Sequence, residues 1–181
     1  MNTIQIPNQK RRTDTVSFRI DTNTRTALEE DARRLGLNLN TLVSQIFGRY
    51  ITWERYAGRL RFLPASKDLW REVFQGMTRD TIEKIGRRLG ETSAKEEILF
   101  LFQRINPGTV FRYIQLWSSH FDAFDHTYDG KKHFFTIHHD VNLNFSVFAK
   151  EYVSSMIQST LARPAQFETV SPSSVTFNFE A

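Results

Sequence analysis

The sequence predicts an α+β fold, and three observations carry that expectation. The segment TVSFRI, residues 15–20, alternates apolar Val16, Phe18 and Ile20 with polar Thr15, Ser17 and Arg19, the period-two pattern of a strand with one buried face. Between that segment and Trp117 the apolar residues recur mainly at helical spacing. Beyond His120, two strand-like runs around Asp129–Gly130 and two more around SPSS bracket one long helical segment, a ββαββ arrangement.

Composition bounds the rest. A chain of 181 residues makes one large or two small domains, and sixteen Phe within a 40% hydrophobic content supply a real core. The absence of cysteine removes disulfides and thiolate metal ligands and fits a reducing compartment. No apolar run reaches the length of a membrane span and the N-terminus has no signal-like apolar stretch, so a cytoplasmic protein with no membrane partner is expected. The net charge of +4 is unevenly placed: up to Arg61 there are eleven Lys and Arg against six Asp and Glu, and from Phe62 onward thirteen against fourteen. A basic first third suggests a polyanionic partner.

The N-terminal elements follow in order. In DTNTRTALEEDARRLG, residues Ala27, Leu28, Ala32 and Leu35 lie at helical spacing, with acids early and Arg33 and Arg34 late, as the helix dipole favours. Asp21 to Thr24 offers capping side chains, and Gly36 is a natural stop. In LNLNTLVSQIFGRYITW, Leu39, Leu42, Val43, Ile46, Phe47, Tyr50 and Ile51 predict a second helix, with Asn38 as N-cap. One strand and two helices of this length cannot close a core. The strand lacks a ladder partner, and the second helix is apolar along a broad stripe. Two copies of the chain remove both defects if the strands pair antiparallel across a two-fold axis, with Val16, Phe18, Ile20, Leu42 and Ile46 in the dimer core.

Residues 13–55, with their pattern of apolar positions, a glycine between the helices and an Asn-rich start to the second helix, resemble a ribbon-helix-helix DNA-binding domain, the family of the Arc and MetJ repressors. The resemblance implies that the paired strands insert into the major groove of double-stranded DNA as a two-stranded ribbon. Thr15, Ser17 and Arg19, on the strand face opposite the apolar one, match the base-reading positions, and Arg19 can bond a guanine edge bidentately. The resemblance also implies a phosphate held at the turn into the second helix, by Asn38, Leu39 and Asn40, where free N–H groups attract anions. Lys10, Arg11 and Arg12 precede the strand as an arm that touches phosphates.

The expected organisation is a basic arm at 1–12, a DNA-binding domain at 13–58, a connector at 59–66 and an α+β sensing or oligomerisation domain at 67–181. In that last domain Ser66 starts a helix through Leu69, Trp70, Val73 and Phe74. Thr78 caps another, with Ile82, Ile85 and Leu89 on one face and Gly90 at its end. SAKE, residues 93–96, is a capping-box pattern, and the ILFLF after it should be largely buried. Asn106–Pro107 opens a helix carrying Val110, Ile114 and Trp117. A two-residue turn at Asp129–Gly130 sets His126 opposite His133 and His120 opposite His139, and the long helix runs from Leu143 to Leu161.

Cross-strand His126 and His133 are candidate metal ligands, but two imidazoles do not complete a site, so no metal and no cofactor are expected. No Cys nucleophile, Gly-rich phosphate loop, nucleophile elbow or HExxH is present, Glu96 and Glu97 diverge on a helix, and no enzyme is expected. The expected function is a sequence-specific transcription regulator, a homodimer or tetramer, whose C-terminal domain senses a small-molecule effector or joins dimers. The alternative is an antitoxin-like or adaptor protein whose C-terminal domain binds a protein partner.

Overall fold

The computed structural model describes residues 14–57, 60 and 65–180. They divide into two compact units between Arg49 and Tyr50. The expected arm at 1–12 lies outside the described residues, as does most of the connector at 59–66.

In the first unit, residues 14–20 form no strand, and Val16, Phe18 and Ile20 are 75%, 54% and 43% exposed. The strand expected at 15–20 is therefore absent from a single chain, for the reason any isolated strand is: its backbone groups have no ladder partner. Helix α1, Thr22–Arg34, begins where the Asp21 carboxylate accepts the Thr24 N–H at 2.9 Å. It ends at Gly36, whose φ of 68° needs no Cβ. There Gly36 N–H donates to Arg33 C=O and Leu37 N–H to Ala32 C=O, at 3.2 and 2.8 Å, closing a Schellman motif. Helix α2, Leu39–Arg49, starts at Asn38, whose Oδ1 accepts the Thr41 N–H at 2.8 Å. Among the described residues of this unit only Ala32 and Leu42 are fully buried. That is too little apolar burial to offset the chain entropy of ordering two helices.

The second unit opens with a π-helical turn, Tyr50–Glu54, and a short helix α3, Arg55–Ala57. Helices α4, Lys67–Gln75, α5, Arg79–Glu91, and α7, Pro107–Ser118, begin at Ser66, Thr78 and Asn106 as their capping chemistry predicts. Helix α8, Leu143–Leu161, has Asn142 as its N-cap. At Asn106 the capping box is reciprocal: its side chain accepts from Thr109 N–H, and Thr109 Oγ1 accepts from Asn106 N–H, both at 3.0 Å.

Helix α6, Ser93–Phe102, departs from expectation. Only Thr92 separates it from α5, and no side chain caps it. The Thr92 carbonyl takes the Glu96 N–H at 3.0 Å, so the capping box at 93–96 is not needed and does not form. Ile98 is buried, but Leu99 and Phe100 are 43% and 38% exposed. Five consecutive apolar residues on a helix span more than its inward face, so ILFLF cannot all be buried. Gly90 lies inside α5 rather than ending it. A Cβ there would lie 2.3 Å from the Tyr152 carbonyl oxygen, and one on Gly86 2.9 Å from the Phe148 carbonyl oxygen. Both glycines let α5 lie directly on the backbone of α8.

The strands β1, Ala123–Tyr128, β2, Lys132–His138, β3, Gln166–Val170, and β4, Ser174–Glu180, form one antiparallel sheet ordered β1-β2-β4-β3. With α8 between the hairpins the chain order is ββαββ, and the fold is mixed α+β. Phe135, Ile137, Val175, Phe177 and Phe179 alternate along one face and are buried in a single core with Val153, Met156 and Ile157 of α8 and Ile114 of α7. No helix among the described residues is long and apolar enough to cross a membrane.

The β1–β2 register differs from expectation by two residues. Tyr128, not His126, lies opposite His133, and His126 faces Phe135. The Asp129 carboxylate accepts the N–H groups of Lys131 and Lys132 at 2.8 and 2.7 Å, which moves the tight turn to Gly130–Lys131. Gly130 takes a φ of 99°.

Candidate functional site

The residues expected to contact DNA lie in the first unit, except Lys10, Arg11 and Arg12, which fall outside the described residues. Thr15, Ser17 and Arg19 are exposed. Arg19 has no ion pair among the described residues, whereas Arg25 bonds Glu29 at 2.8 Å and Arg34 bonds Asp31 at 2.6 Å, each within α1. Arg19 is thus a cation left to solvent. Of the expected dimer core, Leu42 is buried and Ile46 half-buried, while Val16, Phe18 and Ile20 remain exposed. Phe18 meets Phe47 edge-on with ring centroids 5.9 Å apart, and Phe47 is itself 51% exposed.

Asn38, Leu39 and Asn40 do come together. They line a depression at the start of α2, joined there by Thr41 and Ser44. The N–H groups of Leu39 and Asn40 stand in the first turn, where no carbonyl one turn back can take them. Asn38 Oδ1 already accepts from Thr41 N–H and, at 3.0 Å, from Thr41 Oγ1. Its amide NH2 is left to donate outward. The depression therefore offers main-chain N–H, amide and hydroxyl donors, the chemistry of an oxyanion contact. Thr41 and Ser44 were not singled out by sequence. Ser44 stands four residues after Asn40, on the same helix face, and that spacing is the signal that would have found it.

Residues 14–57 carry six Arg against six Asp and Glu, no net charge. The basic excess of the first third therefore belongs to Lys10, Arg11, Arg12, Arg59 and Arg61. These five lie outside the described residues.

In the second unit the histidines separate. His126 Nε2 and His133 Nδ1 are 3.0 Å apart, because a diagonal pairing across the two strands still brings the rings together. Burial lowers the pKa of both, and the charge of His126 lowers that of His133 further. His120 and His139 are not paired as the expected register required. His120 precedes β1 and packs on Trp53 with centroids 4.2 Å apart. His139 is 1% exposed: its Nδ1 accepts the Val141 N–H at 3.1 Å, so its Nε2–H donates to Ser146 Oγ at 2.9 Å. Desolvation holds His139 neutral, with its pKa lowered to about 4. Among the described residues no three His, Cys, Asp or Glu gather as metal ligands.

One half-buried acid, Glu97, has partners that the sequence did not show. Glu97 accepts from the Tyr113 hydroxyl, which lies 2.6 Å from the Tyr152 hydroxyl, and burial raises its pKa. Both phenols are buried and pushed up, chiefly by desolvation. The group ties α6, α7 and α8 together. Its partners are 16 and 39 residues apart in sequence, beyond any local pattern.

No protein-family model matches this chain, and no curated protein matches it.

Proposed function

We propose that this protein is a dimeric, sequence-specific DNA-binding regulator of the ribbon-helix-helix kind. The observation that carries the reading is the exposed apolar triplet Val16, Phe18 and Ile20 in a segment without a ladder, directly before two capped helices with almost no core. A second copy supplies what is missing. Its strand pairs with residues 15–20, the three side chains turn inward onto Leu42 and Ile46, and Thr15, Ser17 and Arg19 are left on the outer face. A ribbon of that kind fits the major groove. The donors around Asn38, Leu39 and Asn40 take a backbone phosphate, and the cations at residues 10–12 add sequence-independent attraction. The second unit, with its own core, serves as the sensing or oligomerising body.

The test separates base readout from phosphate attraction. A duplex selected from a random pool is compared with a scrambled one at fixed salt. Arg19→Ala is expected to weaken the selected duplex by about 1–3 kcal/mol and to leave the scrambled one nearly unchanged. Arg11→Ala is expected to weaken both alike and to lower the salt slope by about one ion. Equal losses on both duplexes for Arg19→Ala would remove it from the groove, and failure of any duplex to be enriched would remove the function.

A further inference from the structure

The two edges of the C-terminal sheet are unlike. The β3 edge is blunted: the strand follows Pro164 and is broken by a register shift between Phe167 and Thr169. Such features keep an edge from pairing with another chain. The β1 edge has none of them. It pairs with β2 in unbroken register from Ala123 to Tyr128, contains no Pro, Lys or Arg, and among the described residues no strand lies beyond it.

The backbone direction along β1 follows from the turn. Asp129 N–H donates to Lys132 C=O, so Asp129 is a hydrogen-bonded position against β2. Alternation then directs the N–H and C=O groups of Asp125 and Thr127 at β2 as well. Those of Phe124, His126 and Tyr128 point to the open edge.

We propose that β1 pairs antiparallel with β1 of a second copy of this chain, with His126 opposite His126, to give one continuous eight-stranded sheet. In this register Phe124 faces Tyr128 and Asp125 faces Thr127. All three outward residues of each copy then exchange both of their backbone bonds. The cross-strand neighbours are an aromatic pair, an acceptor–hydroxyl pair and, at the centre, the two His126 rings; the first two pairs are favourable. The neighbouring registers are worse. Centring on Asp125 sets two carboxylates face to face and leaves Tyr128 unpaired. Centring on Thr127 leaves Phe124 unpaired. A slip of one residue would turn the apolar face of one sheet to the solvent side of the other. The strand is thus self-complementary in one register, and that argues for a second copy as the occupant rather than an unrelated strand.

The inference does not depend on DNA binding, and it is tested in the full chain, which has no cysteine of its own. Asp125 and Thr127 are exposed, so Asp125→Cys and Thr127→Cys are each expected to leave the fold intact, as checked by circular dichroism. They form a non-hydrogen-bonded pair across the new ladder, where side chains approach within disulfide reach. Mixing the two variants under mild oxidant is expected to yield a disulfide joining positions 125 and 127, read by peptide mass, while neither variant alone cross-links appreciably. Disulfides between like positions in the single variants, or none in the mixture, would overturn the proposal. The joined peptide contains no residue of 15–20, so failure here leaves the DNA-binding reading standing, and the converse holds.

Discussion

Replacing Gly90 by alanine tests how closely the two longest-packed helices of the C-terminal unit approach. In an exposed helix this change gains about 1 kcal/mol, because glycine is the poorer helix former. Here the new Cβ would sit 2.3 Å from the Tyr152 carbonyl oxygen and 3.0 Å from both Met156 N and Ser155 Cβ. Two of those three atoms are backbone of α8 and cannot swing aside, so α5 and α8 must separate along a shared core. Overpacking of this kind costs roughly 1–3 kcal/mol, and a contact this short with backbone belongs at the upper end. After the helix-propensity gain the net loss is about 2 kcal/mol, a fall in melting temperature of roughly 6–10 °C. Thermal unfolding of the full chain, followed by circular dichroism at one protein concentration, measures it. Gly76→Ala is the contrast. At φ −76° its Cβ meets only ordinary contact with Glu72 O at 3.5 Å, and a gain of about 0.4–1 kcal/mol is expected. A Gly90→Ala protein as stable as the parent would refute the close approach of the two backbones.

Further outcomes follow from individual residues. His139 takes up a proton in the unfolded chain near pH 6.5 but, when folded, only near pH 4. Stability should therefore fall as pH drops through that window, by on the order of 3 kcal/mol in total. Urea titrations at pH 7 and pH 4 should show this slope in the parent and lose it in His139→Gln, whatever that variant's own stability. Glu97 behaves in the opposite sense: burial raises its pKa, so the folded state is penalised once the carboxyl ionises. Glu97→Gln should gain stability over the parent as pH rises from 4 to 7, and a constant difference across that range would contradict the assignment. Phe18→Asp should abolish self-association of the first unit as followed by sedimentation, since burying an unpaired carboxylate is far costlier than losing a ring contact.

Much of this fold was legible because its signals are local. A cap and the helix behind it share one turn, so Ser66, Thr78 and Asn106 marked their helices, and the spacing from Leu143 to Leu161 marked the longest one. Features decided by distant atoms were not legible. Gly90 reads as a helix stop until α8 is known to lie against it. The apolar run at 98–102 names no face, and α5 and α6 meet so closely that their junction needs no capping side chain. At the hairpin a single carboxylate, that of Asp129, moved the turn by one residue and the register by two. The candidate DNA-contacting residues were legible as an alternation and a capped turn. Thr15, Ser17 and Arg19 are exposed in the single chain, and the ladder proposed for them would come from a second copy.

If the protein binds DNA as proposed, residues 15–20 of two copies form one antiparallel ribbon. Isotope-filtered NMR on the full chain, mixed from labelled and unlabelled protein with and without a selected duplex, measures this directly. Contacts between the two copies are expected to be confined to residues 15–20 and their helix neighbours, running in opposite directions about one central pair, with the Arg19 side chain shifted when DNA is added. Contacts within a single copy alone, or a parallel pattern between copies, would contradict it.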